Sequence, residues 1–210
     1  MSASGPLPCT GAILAGGAAS RFGGRPKGLA LVGGRRIVQR VAGALAQVSD
    51  ALVVVSNADD AAGWLPGTPV VRDRVRGAGP LGGLHAALSL GAAGVLVVAW
   101  DMPFVPASLL GELRRLGERG AGTVDAVVPE GTAEGAPEPL CAYYAQDCLA
   151  AADAALAAGE YRLGAFLDRL RVRRLPYARA LDWGDPRQLF LNVNTPGALL
   201  EANRLACPDV

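Results

Sequence analysis

Histidine occurs once in these 210 residues, as His85, and aromatic residues make up only 5% of the chain. A lone histidine gives no basis for a nucleophile–histidine–carboxylate triad, and no such triad is legible elsewhere. The four cysteines, Cys9, Cys141, Cys148 and Cys207, are scattered and form no C-x-x-C pair. That spacing argues against a disulfide framework or a zinc site and fits reduced thiols in the cytoplasm. No apolar run approaches the roughly 20 residues that span a bilayer, and Met1 to Pro8 has no basic cluster of a secretory signal. Twenty basic residues balance 19 acidic ones to a net charge of +1. This excludes the broad basic footprint of a nucleic-acid binder. Half of the chain is hydrophobic, with much of that in alanine, alongside 28 glycines. Small side chains packing helices closely onto a sheet are therefore expected.

The length suits one domain spanning 10–205, with short tails at 1–9 and 206–210. Short β-rich runs alternate with helical patterns, which predicts βαβ units. The expected fold is a single Rossmann-like three-layer α/β domain, with a mainly parallel sheet and helices on both faces. Strands are expected at Thr10–Ala15, Ala51–Ser56, Pro69–Arg72, Val95–Ala99, Asp125–Val128 and Leu140–Tyr144. Runs such as Val95-Leu96-Val97-Val98 are apolar without alternation, as when helices cover both faces of a strand. Helices are expected at Arg36–Gln47, Leu81–Leu90, Pro106–Arg119, Ala145–Ala158, Arg162–Leu170 and Pro196–Leu205. The segment Gly131–Pro139 reads as an exposed loop, and the basic run Arg169–Arg174 as a solvated face.

Open parallel sheets bind ligands outside the carboxyl ends of their strands, so the residues following each strand are informative. After the first comes Gly16-Gly17-Ala18-Ala19-Ser20-Arg21-Phe22-Gly23-Gly24-Arg25-Pro26-Lys27. Its glycines let backbone N–H groups approach an anion, and Arg21 and Lys27 add the charge a polyphosphate requires. The spelling is neither a P-loop nor the G-x-G-x-x-G dinucleotide fingerprint. Ser56-Asn57 follow the second strand and Asp73 the third. Asp101 follows the fourth, just past a buried apolar run, where a divalent cation is its natural partner. A second glycine-rich string, Gly77-Ala78-Gly79-Pro80-Leu81-Gly82-Gly83-Leu84, leads into a helix that carries His85, read as structural. Near the end, Phe190–Pro196 alternates like a strand that stops at a Thr-Pro helix start, with Asn192 and Asn194 on one side.

In order along the chain, Leu14-Ala15-Gly16-Gly17…Arg21-Phe22-Gly23-Gly24…Lys27-Gly28, Gly79-Pro80-Leu81-Gly82-Gly83-Leu84, Asp101-Met102-Pro103-Phe104 and Asn192-Val193-Asn194-Thr195-Pro196 resemble the MobA-type molybdenum cofactor guanylyltransferases. The resemblance spans about residues 10–205. It implies a cytoplasmic, Mg²⁺-dependent enzyme that transfers GMP from GTP to molybdopterin or Mo-molybdopterin and releases pyrophosphate. GTP contacts implied by it are Leu14, Ala15, Gly16, Gly17, Lys27, Asn57, Asp73, Gly79, Pro80, Leu81 and Asp101. Arg21, Lys27 and Asp101 would be the catalytic residues, with Asp101 also the metal ligand. Asn192 and Asn194 would lie on the molybdopterin side. Molybdoenzyme chaperones or other cofactor-biosynthesis proteins are the implied protein partners.

Many members carry a small residue or cysteine where Trp100 stands, and Gly131–Pro139 matches no family motif. A related transferase remains as an alternative: a molybdopterin cytidylyltransferase, or an enzyme of sugar-1-phosphates or phospholactate. The Gly16-Gly17 pair resembles the guanylyl branch. A non-catalytic GTP-binding module has less need of a metal carboxylate beside Arg21 and Lys27, and an NAD(P)-binding protein lacks its fingerprint.

Overall fold

The computed structural model describes residues 8–16, 26–75 and 77–207. In chain order the elements are β1 (Cys9–Leu14), β2 (Leu31–Val32), β3 (Arg35–Arg36), α1 (Ile37–Leu45), β4 (Ala51–Val55), β5 (Val70–Val71), α2 (Gly79–Leu88) and β6 (Gly94–Ala99). They continue with α3 (Ala107–Arg119), β7 (Ala126–Pro129), β8 (Cys141–Ala145), α4 (Cys148–Ala157), α5 (Leu163–Leu167), β9 (Val172–Leu175), α6 (Tyr177–Ala180), α7 (Pro186–Leu189) and α8 (Pro196–Ala206).

Among the described residues seven strands form one sheet in the order β5-β4-β1-β6-β8-β7-β9. All neighbours are parallel except β8, which runs against both β6 and β7. Both faces of the central strands are covered, so β1 and β6 are buried at every position. Alternate residues feed two cores. Ile13, Val54, Leu96 and Val98 face the layer of α1 and α3, whereas Leu14, Val53, Val95 and Val97 face α2, α4 and α5. The fold is thus the three-layer α/β arrangement expected.

β1 pairs with β4 up to Leu14↔Val55 and with β6 up to Leu14↔Ala99. From β1 the chain goes first to β4 and β5 on one side, then crosses to β6 on the other. The three strand ends therefore stand side by side at the point where the winding reverses, which is where such sheets open a ligand crevice.

Four features differ from expectation. The segment 190–195 forms no strand: the Val193 N–H bonds the Asp101 carbonyl at 2.9 Å, across to the end of β6, instead of a neighbouring strand. Arg173 and Arg174 have exposed side chains, but their backbone pairs with β7 as the edge strand β9, so the basic run is a solvated face built on a sheet edge. The hairpin of β2 and β3 turns through Gly33 and Gly34, both at positive φ, the residue type such tight hairpins demand. The short helices α6 and α7 are also additional. The first strand begins at Cys9 and the last helix ends at Ala206. The start of α8 is as expected, with Pro196 in the first turn and Thr195 Oγ1 accepting the Ala198 N–H at 3.1 Å. Among the described residues no helix is long and apolar enough to cross a membrane.

Candidate active site

Past the ends of β1, β4 and β6 lies a cavity of about 700 Å³. Leu14, Ala15 and Gly16 form its floor, where the Ala15 N–H still bonds the Val55 carbonyl at 2.9 Å. Lys27, Asn57, Asp73, Gly79, Pro80, Asp101, Asn192 and Asn194 line the walls. The structure thus gathers eleven of the sequence candidates on one cavity. Leu81 is not on its wall; it is fully buried in the core under α2. Gly17 and Arg21 lie outside the described residues.

At one end Lys27 opens a single 3-10 turn, Lys27–Leu29. Its ammonium donates to Asp101 Oδ2 at 3.1 Å and also to Asn194 Oδ1. Both charged side chains are nearly buried, at 12% and 8% exposure. A buried charge without a partner is costly, so the pairing neutralises this end of the crevice. Lys27 and Asp101 therefore touch directly rather than facing each other across an open gap. Lys27 is also the only lysine in the chain; every other basic side chain apart from His85 is an arginine. Where the crevice needs a compact cation with rotatable donors, the guanidinium fork is replaced.

At the other end Asn57 and Asp73 exchange two bonds. The Asn57 Nδ2 donates to Asp73 Oδ2 at 2.9 Å, and the Asp73 N–H donates to Asn57 Oδ1 at 3.0 Å. Burial raises the Asp73 pKa, while the Asn57 amide, and to a lesser degree the neighbouring His85, oppose the rise. The neighbouring start of α2 carries no side-chain cap, and its first two residues, Gly79 and Pro80, line the cavity, so the positive end of the helix dipole lies at the crevice. His85 itself is buried on α2 and lies 2.8 Å from Asp153 Oδ1 on α4, joining two helices as a structural residue would.

Four residues at the site escaped the sequence reading. Leu140 and Asp60 line the cavity, and Trp64 beside Asp60 stacks on Trp100 with ring centroids 4.8 Å apart. Glu138 sits in the half-buried base of the loop after β7. Burial, reinforced by the charge of Asp101, pushes its pKa up to about 7 against a weaker pull from the Leu140 N–H. The Leu140 carbonyl accepts the Ala99 N–H at 2.8 Å, which ties this loop to the end of β6. The Gly131–Pro139 segment is exposed only at its tip. Trp100 was visible as a departure from the motif; Trp64 and Glu138 had no local signal, because long-range packing alone brings them here.

Among the described residues no three of His, Cys, Asp and Glu cluster as a ready-made metal cage. Asp101 is the carboxylate at the Lys27 end, with the amides of Asn192 and Asn194 on the same cavity. An oxygen donor set this sparse fits a hard cation that shares its ligands with phosphate oxygens, as Mg²⁺ does.

A reversal point of a parallel sheet, opening onto a cation, a carboxylate and an uncapped helix start, defines a nucleotide-binding α/β protein. The chain belongs to the MobA-like NTP transferase family, whose domain model matches residues 11–174. It is 37% identical over 201 residues to a probable molybdenum cofactor guanylyltransferase of Pelotomaculum thermopropionicum, covering 95% of this chain and 94% of that one. A molybdenum cofactor guanylyltransferase of Desulfosudis oleivorans is 34% identical, covering 92% and 93%. Among solved structures, the molybdopterin-guanine dinucleotide biosynthesis protein A of Archaeoglobus fulgidus superposes with a TM-score of 0.80 at 28% identity, over 96% of this chain and 100% of that one.

Proposed function

We propose that this chain transfers GMP from GTP to the phosphate of molybdopterin, or of its molybdenum-loaded form, releasing pyrophosphate in a Mg²⁺-dependent reaction in the cytoplasm. The observation that carries this reading is the contact of Lys27 with Asp101 and Asn194 at the sheet's reversal point. The names of the related proteins support the guanylyl donor and the pterin acceptor.

In this reading the Asn57–Asp73 pair, Gly79 and Pro80 hold the base, and Leu14, Ala15 and Gly16 hold the nucleoside against the sheet end. Gly17 and Arg21 join them at the triphosphate. The acceptor's terminal phosphate lies on the Asn192 and Asn194 side and attacks the α-phosphorus in line with the departing pyrophosphate. That oxygen is already anionic near neutral pH, so no general base is needed. Lys27 exchanges its internal partners for phosphate oxygens and stabilises the charge that builds on them. Asp101, released from Lys27, holds the cation; Mg²⁺ supplies charge neutralisation and orientation of the phosphates. Molybdoenzyme chaperones or other cofactor-biosynthesis proteins are the expected protein partners.

The decisive experiment incubates the protein with GTP, Mg²⁺ and molybdopterin and reads dinucleotide and pyrophosphate. Both products are expected from the wild type. Removing Lys27 or Asp101 as Ala variants should lower the rate at least about 100-fold. Equal turnover with CTP, or turnover only with another phosphate acceptor, would move the chain elsewhere in its superfamily.

A further inference from the structure

Gly28 follows Lys27, and a Cβ placed on it would collide with Trp100 Cε3 and lie 2.7 Å from Trp100 Cδ2. No side chain fits there: the turn lies directly against the indole ring. Trp100 is 4% exposed, and its N–H bonds the Leu14 carbonyl at 3.2 Å, so its backbone is tied to the central strand. Its ring is backed by Trp64, stacked with an interplanar angle of 28°. Trp64 is fixed in turn, since its indole Nε1 donates to Asp60 Oδ2 at 3.0 Å. The Trp100 indole N–H is buried and has no hydrogen-bond partner among the described residues. A buried donor left unpaired costs stability, which hydrogen bonding does not repay here; the ring's shape is what the position uses.

The next residue after Trp100 is Asp101, whose carboxylate takes the Lys27 ammonium at 3.1 Å. One strand end thus supplies both the surface under the turn and the group that catches its side chain. We propose that Trp100, backed by Trp64, is a positioning residue: it seats the Lys27–Leu29 turn and thereby sets where the Lys27 ammonium meets the substrate phosphates. The chemical role of Lys27 in this statement rests on the guanylyltransferase reading above; the seat itself does not.

Lys27 is the only lysine, so its ammonium and the chain's α-amine are the two amines open to a limiting dose of acetic anhydride, and mass spectrometry of those two peptides reads the exposure of Lys27 against that internal standard. Trp100→Ala and Gly28→Ala should each raise Lys27 acylation about tenfold, as expected when a closed local contact opens more often. Trp100→Phe keeps a six-membered ring over Gly28 and should bring the rate back to within about threefold of wild type. In the transfer assay Trp100→Ala should lower kcat/KM about 10- to 100-fold, the scale of a misplaced reacting group. In a Lys27→Ala background the same substitution should cost less than about threefold more, because a residue acting through another is non-additive with it. Unchanged acylation in folded Trp100→Ala and Gly28→Ala would overturn the inference. So would a full kinetic loss on top of Lys27→Ala. If Trp100→Ala does not fold, Gly28→Ala carries the labelling comparison, since it removes nothing from the core. If the wild type makes no dinucleotide, the functional reading fails while the acylation comparison still decides the seat.

Discussion

Glu138 exposes a conflict between burial and charge at the scale of one residue. Its carboxyl is pushed up to about 7 from 4.5, first by burial and then by the nearby Asp101 charge. Between those two values the folded protein holds a proton that the unfolded chain has already released. Stability on this account is highest below pH 4.5, falls as the pH rises to about 7, and is level above that. Glu138→Gln removes the titration while keeping the shape. Unfolding followed in EDTA should show the variant gaining on the wild type as pH rises from 5 to 8, by roughly 1–3 kcal/mol at the upper end. Parallel curves over that range would mean that the carboxyl is solvated and free of Asp101. Lys27 and Asp101, by contrast, meet burial by pairing, each nearly buried side chain having the other as its partner.

Among elements, what was legible in the sequence follows from how each one is buried. Val95–Val98 and Val53–Val55 declare themselves because a strand covered on both faces has nothing but apolar side chains to show. The ends of those strands also point to the crevice, so Lys27, Asn57, Asp73 and Asp101 could be placed from order alone. β9 could not, because a sheet edge pairs through its backbone and leaves Arg173 and Arg174 in water. In 190–195 the alternation is real but its cause is the crevice: Asn192 and Asn194 line the cavity while Val193 is fully buried. β9 is anchored from outside its own span by Asp125, just before β7. That carboxylate accepts the Arg171 N–H at 2.7 Å and is gripped by its guanidinium. These bonds, the guanidinium first, hold the Asp125 pKa below its usual value. A lowered carboxyl pKa contributes stability above pH 3.8 and loses it as the pH falls through the folded value. Asp125→Asn should therefore lower the thermal midpoint by a few degrees near neutral pH, with the gap to wild type closing at acid pH. A gap that is constant with pH would assign the effect to packing and not to the charge.

At the scale of the molecule, the crevice is assembled from segments far apart in the chain: Gly16 and Lys27 near the start, Asn57 and Asp73 next, Asp101 at the middle and Asn194 close to the end. Nothing but the folded sheet holds them together, so a ligand that touches all of them binds the native state alone. Its binding energy then appears as stability, about 2.7 kcal/mol at a free concentration 100 times the dissociation constant. For a chain of this size that corresponds to a rise in thermal midpoint of roughly 5–10 °C. The Lys27–Asp101 pair adds a condition. Triphosphate alone would draw Lys27 away and leave Asp101 a buried, uncompensated carboxylate, and a divalent cation alone would leave Lys27 in the same state. GTP and Mg²⁺ together satisfy both groups at once, so their joint shift should exceed the sum of the separate shifts. Asp101→Ala should abolish that excess while keeping part of the response to GTP. A purely additive response in the wild type would mean that the ion pair persists with nucleotide bound, and Asp101 would then not be the residue that holds the cation.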